Sequence, residues 1–556
     1  MSKAQAGTPL KIIPLGGVSE VGKNCTLVQY GNDMVLIDAG VQFPNEDMLG
    51  VDLVIPDVSY VRQHLAGLHG IVLTHGHEDH IGALAYVVAE LNAEQPIRIY
   101  GTPLSLGLAR ARLEERRALH RVDLCQIDPG GTLSLGWADL EFVPVGHSIP
   151  DAVAVAIHSP VGTVLYTGDW KFADMPPEGI ERLRQLGDAG VLALLADCVR
   201  IESPGRTPPE STVADALEGI MREAPGRVIV TTFASNIYRV AEVIRRAHRL
   251  GRASCLVGRS MERNISVAQE LGYLNLPEGA LVTVEAMRDW DPTRVVLITT
   301  GSQGEPAAAL SRIAAGEHRQ IRIIAGDTVV MAATPVPGNE ESVSKTIDNL
   351  FRGGADVLYP RTTPNIHVSG HAAHDEHGEL LDIVRPQFAA PFHGEYRMMV
   401  LYRRVAMEHG LPREHVLMPE LGDVMEFRAD SARVHGKVPA GSILVDGITV
   451  GAVTQVMLRD RRHLAADGIV VVSAVVDGHT GRPISDPELL TRGLPHSAES
   501  GLMEGARAKV LRVLQRRHLG EVEHRLLGDL IKESLGAYIY QQTGLRPMIL
   551  PVVTEI

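Results

Sequence analysis

Thr74-His75-Gly76-His77-Glu78-Asp79-His80 stands between the apolar run Gly70-Ile71-Val72-Leu73 and the helix-like Gly82-Ala83-Leu84-Ala85-Tyr86-Val87-Val88. Four strong metal ligands, His75, His77, Asp79 and His80, fall within six positions. In an extended segment His75 and His77 point to one side, so a single ion can take both imidazoles. Asp79 and His80 come after the chain turns and face a second ion beside the first. Imidazole nitrogen with carboxylate oxygen suits Zn²⁺, Mn²⁺ or a similar cation without any cysteine. The bland alternative is a solvated, His-rich loop; its setting between a buried-strand pattern and a helix argues against that.

Working outward, short β-branched runs recur at Met34–Asp38, Ile71–Thr74, Phe142–His147, Val164–Asp169, Leu194–Asp197, Val228–Phe233, Cys255–Gly258, Val295–Gly301, Ile321–Gly326, Val357–Tyr359 and Phe388–His393. Helical patterns lie between many of them, so the chain reads as α/β with sites at strand ends. Asp38, His147, Asp169 and His393 each close one of these runs. A lone His or Asp after a strand is most often a cap or turn residue. Together and in this order they supply what a binuclear site needs beyond the first cluster.

Two boundaries suggest themselves. After Asp197 comes the loop Glu202-Ser203-Pro204-Gly205-Arg206-Thr207-Pro208-Pro209, then helix–strand alternation to about residue 360, which reads as an inserted α/β domain. Beyond about residue 430 come short strands and turns, then strand Ile469–Val476, helices Ala506–Arg517 and Glu521–Thr543, and strand Met548–Val553. The expected division is 1–200 and 361–430 for one domain, 201–360 for the insertion, 431–460 for a linker and 461–556 for a small α/β domain suited to oligomerisation.

Hydrophobic content of 45% and charged content of 22% are ordinary for a globular protein, and 556 residues allow two to four domains. The four cysteines are scattered and form no CxxC pair, which disfavours disulfides and thiolate zinc and fits a reducing compartment. No signal-peptide pattern opens the chain and no apolar run is long enough for a membrane span, so a cytoplasmic protein is expected. A net charge of −14 disfavours a generic nucleic-acid-coating surface but leaves room for a local basic channel. Seven arginines at 236–263 (Arg239, Arg245, Arg246, Arg249, Arg252, Arg259, Arg263) read first as the solvated face of a helix, with a phosphate-attracting groove as the alternative.

The HxHxDH pattern followed by single His, Asp and His ligands resembles the metallo-β-lactamase superfamily. The insertion, with Asp197 before it and His371 and His393 after it, resembles the β-CASP nucleic-acid-processing branch. Thr74–Leu84, Gly301-Ser302-Gln303-Gly304-Glu305-Pro306, His367-Val368-Ser369-Gly370-His371 and His393-Gly394-Glu395-Tyr396-Arg397-Met398 look like the bacterial ribonuclease J family, clearly over about residues 10–430 and loosely beyond. The resemblance implies an αββα metallo-β-lactamase sandwich, an inserted β-CASP domain and a small C-terminal α/β domain. It implies two divalent ions, Zn or Mn: His75, His77 and His147 on one, Asp79, His80 and His393 on the other, Asp169 bridging and acting in catalysis. Asp38 would orient ligand histidines. His371 would contact the scissile phosphate or protonate the leaving 3′-oxygen, with Asp197 orienting it.

Phosphate handling can be read separately. Phe233-Ala234-Ser235-Asn236 ends a strand and opens a helical run, where backbone N–H groups make an anion site. His367, Val368, Ser369, Gly370 and His371 form a second set. In the family these regions grip the RNA backbone and a 5′-monophosphate, permitting 5′→3′ exonuclease action beside endonuclease cutting. Ser302, Gln303 and Glu305 are weaker candidates for the same channel. The acidic loop 46–52, through Gly50 and Asp52 with Asp446, is a candidate structural calcium site, with a solvated loop as the alternative. Gly17–Asn24 nearly matches a P-loop, but Asn24 stands where a hydroxyl should ligate Mg²⁺, so nucleotide binding is not expected.

The leading expectation is a two-metal ribonuclease of RNA maturation and mRNA decay, acting on single-stranded RNA with a 5′-monophosphate, assembled as a homodimer or higher homo-oligomer and working with RNA-decay protein partners. A DNA-directed β-CASP nuclease is the nearest rival. A small-molecule metallohydrolase would not need the insertion, and a catalytically dead RNA-binding scaffold would not keep every ligand.

Overall fold

The computed structural model describes residues 7–556 apart from 46, 288–289, 306, 336–338, 448, 481, 496–499 and 516–523. Glu46 of the acidic loop, Pro306 of the Gly301–Pro306 motif and the start of the expected helix Glu521–Thr543 therefore lie outside the described residues. The chain divides into two compact units, one of residues 1–43 and 53–443, the other of 44–52 and 444–556.

In the larger unit an eight-stranded sheet runs in the order Ser431–Lys437, Asp423–Arg428, Leu10–Gly16, Cys25–Tyr30, Asp33–Ile37, Leu68–Val72, Ile97–Gly101, Val122–Gln126. A six-stranded sheet runs Phe388–Phe392, Ala193–Asp197, Gly162–Tyr166, Val153–Ser159, Asp139–Pro144, Thr132–Ser134. Helix Pro103–Glu115 packs on the first sheet with Leu84–Leu91 beside it, and Pro177–Ala189 and Tyr396–Glu408 pack on the second with His374–Val384 against both, giving the αββα sandwich that the resemblance implies. Strands such as Ala193–Asp197 and Phe388–Phe392 are buried along their whole length, as parallel strands covered on both faces must be. The sheets meet where Val153 N donates to Thr74 O at 3.0 Å, so the His-rich segment lies between them.

The insertion is a five-stranded, wholly parallel sheet in the order Ala253–Val257, Val295–Thr299, Val228–Thr231, Thr328–Met331, Asp356–Leu358. Its core joins Ile229, Leu297, Val329 and Leu310 to Leu350 of helix Glu340–Arg352. One expected strand is corrected: Ile321–Gly326 is irregular, and the strand is Thr328–Met331. The cause is Asp327, whose buried carboxylate takes Arg227 at 2.6 Å and the Ile324 N–H at 2.9 Å, so pairing begins only after it.

The smaller unit carries the sheet Glu488–Arg492, Ile469–Val476, Met548–Glu555, with helices Ser500–Gln515 and His524–Thr543 against it. Alternation along Ile469–Val476 sends Val470, Val472, Ala474 and Val476 to the helices. The stretch 431–460, expected as a linker, instead holds the edge strand Ser431–Lys437 and the first turns of helix Gln455–Asp467, which Thr454 caps by accepting from Met457 N. Among the described residues no helix is long and apolar enough to cross a membrane.

Candidate active site

Strand Leu68–Val72 delivers Thr74 and His75, and the one-turn helix Glu78–Ile81 then turns Asp79 and His80 back toward them. From neighbouring strand ends come Asp38, His147, Asp169, Asp197 and His393. The structure brings these together. His75, His77, His147 and Asp169 offer ligand atoms that all lie within 4.8 Å of one another, as do those of Asp79, His80, Asp169 and His393. Asp169 belongs to both groups: Oδ2 lies 3.5 Å from His75 Nε2 and from His147 Nε2, while Oδ1 lies 3.3 Å from His80 Nε2.

The imidazole tautomers follow from partners that can only accept. His80 Nδ1 donates to Asp38 Oδ2 at 2.8 Å, and His147 Nδ1 donates to Gly370 O at 2.7 Å. Thr74 Oγ1 gives its proton to Asp38 at 2.8 Å and so can accept from His75 Nδ1 at 3.1 Å. In the neutral ring each bond turns Nε2 inward with its lone pair, the orientation a metal-binding histidine needs. His75 Nε2 and His77 Nε2 are buried with no hydrogen-bond partner, and His77 Nδ1 faces His147 Nε2 at 3.0 Å. Either tautomer of His77 leaves a buried ring nitrogen unmatched in this dry cluster, which costs free energy unless a cation takes the nitrogens, so the donor set fits two divalent ions.

Electrostatics divide the cluster. Burial holds His75 and His147 far below the usual imidazole range and His77 down at about 4, so these rings are neutral. Burial also opposes charge on His393, but Asp169 and Asp79 outweigh it and push its pKa up to about 10. His80 is raised in the same way by Asp169, Asp38 and Asp79. Asp169 stays ionised because His80 and His393 more than offset its desolvation. The carboxylates thus demand positive charge, which bound cations would provide while displacing those protons.

His371 stands beside this cage. Its Nδ1 donates to Asp197 Oδ2 at 2.7 Å and lies 3.9 Å from Asp169 Oδ2. Burial works against the imidazolium, and Asp197 and Asp169 raise its pKa despite that. Asp197 is held in turn by Val199 N at 2.8 Å. Ser369 Oγ accepts from His371 N at 3.2 Å, and Gly370 is pressed so close to His147 that a Cβ there would lie 2.5 Å from Cε1.

The other expected groups are placed less uniformly. Ala234 O accepts from Asn264, and Asn236 Oδ1 is spent capping Arg239 N at 3.0 Å, leaving Ser235 as the half-buried side chain of that turn. Ser302 and Gln303 are only 2% and 5% exposed, and Gln303 donates to Thr334 O, so these two side chains do not line an open channel; Glu305 is exposed. The calcium expectation is not supported. Asp446 pairs with Arg461 at 2.5 Å, Asp52 accepts from Gly447 N at 2.7 Å, and a Cβ on Gly50 would meet the Arg461 guanidinium. The near-P-loop is a buttress. Lys23 is buried against Glu20, Gly441 O and Ser442, and Asn24 Nδ2 lies 3.1 Å from Asp79 O and 3.0 Å from His80 Nε2.

Sequence reading overlooked several contributors. Glu376 is fully buried and accepts from Phe172 N, Thr207 N and Ala373 N, tying the post-insertion segment to both neighbours. Glu78 binds Arg112, which also binds Glu115, the partner of Arg263. Within the arginine run Arg245, Arg246, Arg249 and Arg263 pair with carboxylates and Arg239 and Arg252 are buried, while Arg259 is exposed. A signal for Arg239 existed, since it shares the i, i+4, i+8 stripe of Val243 and Ala247.

Comparison with known proteins agrees with this geometry. Models described as Metallo-beta-lactamase superfamily, Ribonuclease J beta-CASP domain, Zn-dependent metallo-hydrolase RNA specificity domain and Ribonuclease J C-terminal domain match residues 18–206, 225–350, 361–419 and 456–556. The chain is 36% identical to Ribonuclease J2 of Bacillus subtilis, covering 98% of this chain and 99% of that one. It is 39% identical to Ribonuclease J of Thermus thermophilus (98% and 95% covered) and 38% to that of Mycobacterium tuberculosis (98% and 97%). A crystal structure of a protein of unknown function from Enterococcus faecalis shares the fold, with a TM-score of 0.54 at 14% identity over 75% of this chain and all of that one.

Proposed function

This chain belongs to the ribonuclease J family and is a metal-dependent ribonuclease; from that premise we propose that it removes nucleotides 5′→3′ from single-stranded RNA bearing a 5′-monophosphate and also cuts RNA internally. One observation carries the reading. His371, paired to Asp197, stands against Asp169, and the four residues before it include Gly370, whose carbonyl holds His147. Proton donor and phosphate-holding segment are thus one continuous stretch, tied to the cage where Gly370 O accepts from His147.

In this reading His75, His77 and His147 would hold one ion and Asp79, His80 and His393 the other, with Asp169 shared between them. Bound Zn or Mn would supply electrophilic stabilisation of the phosphoryl oxygens and activation of the attacking water. The chain's own groups do the rest. Asp38 and the Gly370 carbonyl fix His80 and His147 with Nε2 inward. Ser369, His367 and the Gly370 N–H hold the phosphate one nucleotide away, with the Ser235 turn behind them. As the new P–O bond forms and the P–O3′ bond breaks, His371 passes its proton to the departing 3′-oxygen while Asp197 keeps the ring oriented. The products are a nucleoside 5′-monophosphate and RNA with a fresh 5′-monophosphate, ready for the next cycle.

RNA would pass between the 201–360 insertion and the domain of 1–200 with 361–430, and rRNA maturation and mRNA decay in the cytoplasm follow as the roles. A homodimer through the small C-terminal unit is supported by Leu490 and Leu550, both exposed and both paired with Val471 on one sheet face. The test uses matched RNAs carrying 5′-monophosphate, 5′-triphosphate or 5′-hydroxyl, and DNA of the same sequence. Chelator should abolish cleavage, Zn²⁺ or Mn²⁺ should restore it, and the 5′-monophosphate RNA should be degraded fastest. Equal rates on all RNA ends would remove the phosphate pocket, and faster DNA turnover would overturn the RNA assignment.

A further inference from the structure

The guanidinium of Arg239 is 2% exposed and lies in the first turn of helix Ile237–Arg249, at the carboxyl end of the insertion's parallel sheet. Glu210 neutralises it through both carboxylate oxygens, Oε1 at 2.8 Å from Nη2 and Oε2 at 3.1 Å from Nε. The remaining N–H groups reach a neighbouring strand end of the insertion and the segment that follows it. Nη1 donates to Ala332 O at 2.7 Å and to His367 Nδ1 at 3.1 Å, and Nη2 donates to Val368 O at 3.1 Å. One planar group therefore ties two helix starts, the end of strand Thr328–Met331 and the segment that re-enters the metallo-β-lactamase domain.

A guanidinium has no acceptor, so His367 Nδ1 must accept and the ring proton resides on Nε2. Burial and the neighbouring Arg239 charge keep this imidazole neutral, with a pKa near 3. His367 thus presents an N–H donor that cannot be lost by tautomer exchange while Arg239 is in place. We propose that Arg239, anchored by Glu210, is the positioning residue of the 367–370 segment and sets its discrimination in favour of a 5′-monophosphate. The proposal rests on the phosphate reading of His367–Gly370 given above. Arg239 itself does not touch RNA; it acts through the Val368 carbonyl and the His367 ring. Lysine would keep the charge but has no fixed fork with which to hold these acceptors together.

Arg252 supplies the control. It is also buried in the insertion, but it donates to Ala224 O and Gly226 O, and not to the re-entering segment. The experiment measures binding of one 2′-O-methyl RNA oligonucleotide with either a 5′-monophosphate or a 5′-hydroxyl to the full chain in chelator, for wild type, Arg239→Lys, Glu210→Gln and Arg252→Lys. Wild type should prefer the monophosphate about tenfold or more, the scale of a charge-assisted hydrogen bond. Arg239→Lys should lose most of that preference with hydroxyl affinity kept, Glu210→Gln should lose part of it, and Arg252→Lys should retain it. With metal restored, cleavage of a circular RNA, which has no 5′ end, should be similar in Arg252→Lys and wild type. A wild-type ratio in Arg239→Lys overturns the proposal, as does an equal loss on both probes. If Arg239→Lys fails to fold, an unchanged ratio in Glu210→Gln overturns it. Equal binding of both probes by wild type would instead bring down the phosphate reading itself.

Discussion

The cage around Asp169 and the acidic loop at Asp52 both offer carboxylates to a cation, and the protein completes them in opposite ways. In the cage, each carboxylate meets neutral or proton-hungry imidazoles, and buried nitrogens such as His75 Nε2 and His77 Nε2 are left with no partner. In the loop, Arg461 supplies the positive charge through Asp446 and Leu49 O, and Gly447 N satisfies Asp52. A count of acidic residues therefore says little about metal binding. What distinguishes the cage is uncompensated lone pairs in a dry setting, where leaving them unmatched is expensive.

The sharpest way to break this contrast is Asp169→Asn. Losing the shared carboxylate should cost more metal affinity than the ~10–100-fold expected when an outer partner of a ligand is removed, and cleavage should disappear with it. Metal content after dialysis checks this; two tightly held ions in the variant would refute the bridging assignment. His371→Ala separates chemistry from metal holding, because Asp197, His371 and His393 also come within ligand distance of one another. Cleavage should fall about 10²–10⁴-fold, the range for a general acid, with metal content unchanged. Loss of an ion would move His371 into the cage.

Smaller effects sharpen the picture. Gly370→Ala forces a methyl against His147 Cε1 at 2.5 Å, so thermal unfolding of the metal-free chain should show a loss of about 1–3 kcal/mol. Unchanged stability would mean that the segment moves freely past the ring. At the loop, wild type should bind no Ca²⁺ by calorimetry, and Arg461→Met should change stability by about 1 kcal/mol or less, as befits a part-exposed ion pair. Tight Ca²⁺ binding by wild type would erase the difference between the two clusters.

The metal-bearing part of the site was legible because its chemistry is written in residue type. His and Asp after short apolar runs have few other reasons to recur, and strand ends in an α/β sandwich converge whatever the loops do. Longer-range dependencies were not legible. Asn236 looked like a phosphate ligand and is a helix cap. Ser302 and Gln303 looked like channel residues and are buried. The strand expected at Ile321–Gly326 begins at Thr328 because Asp327 is claimed by Arg227, a hundred residues earlier in the chain. In each case a partner remote in sequence reassigns a side chain that local pattern had committed elsewhere.

By itself the sequence determined the α/β class, the inserted domain and the metal-seeking character of His75–His80, since periodicity and ligand chemistry are local properties; the αββα sandwich came in through family resemblance. The tertiary structure decided which carboxylates are claimed by an arginine and which by histidines, which nitrogen of each histidine faces inward, and that Arg239 staples the insertion to His367 and Val368. Those outcomes depend on distances between segments far apart in the chain, where burial strips water away and every donor must find an acceptor across the fold.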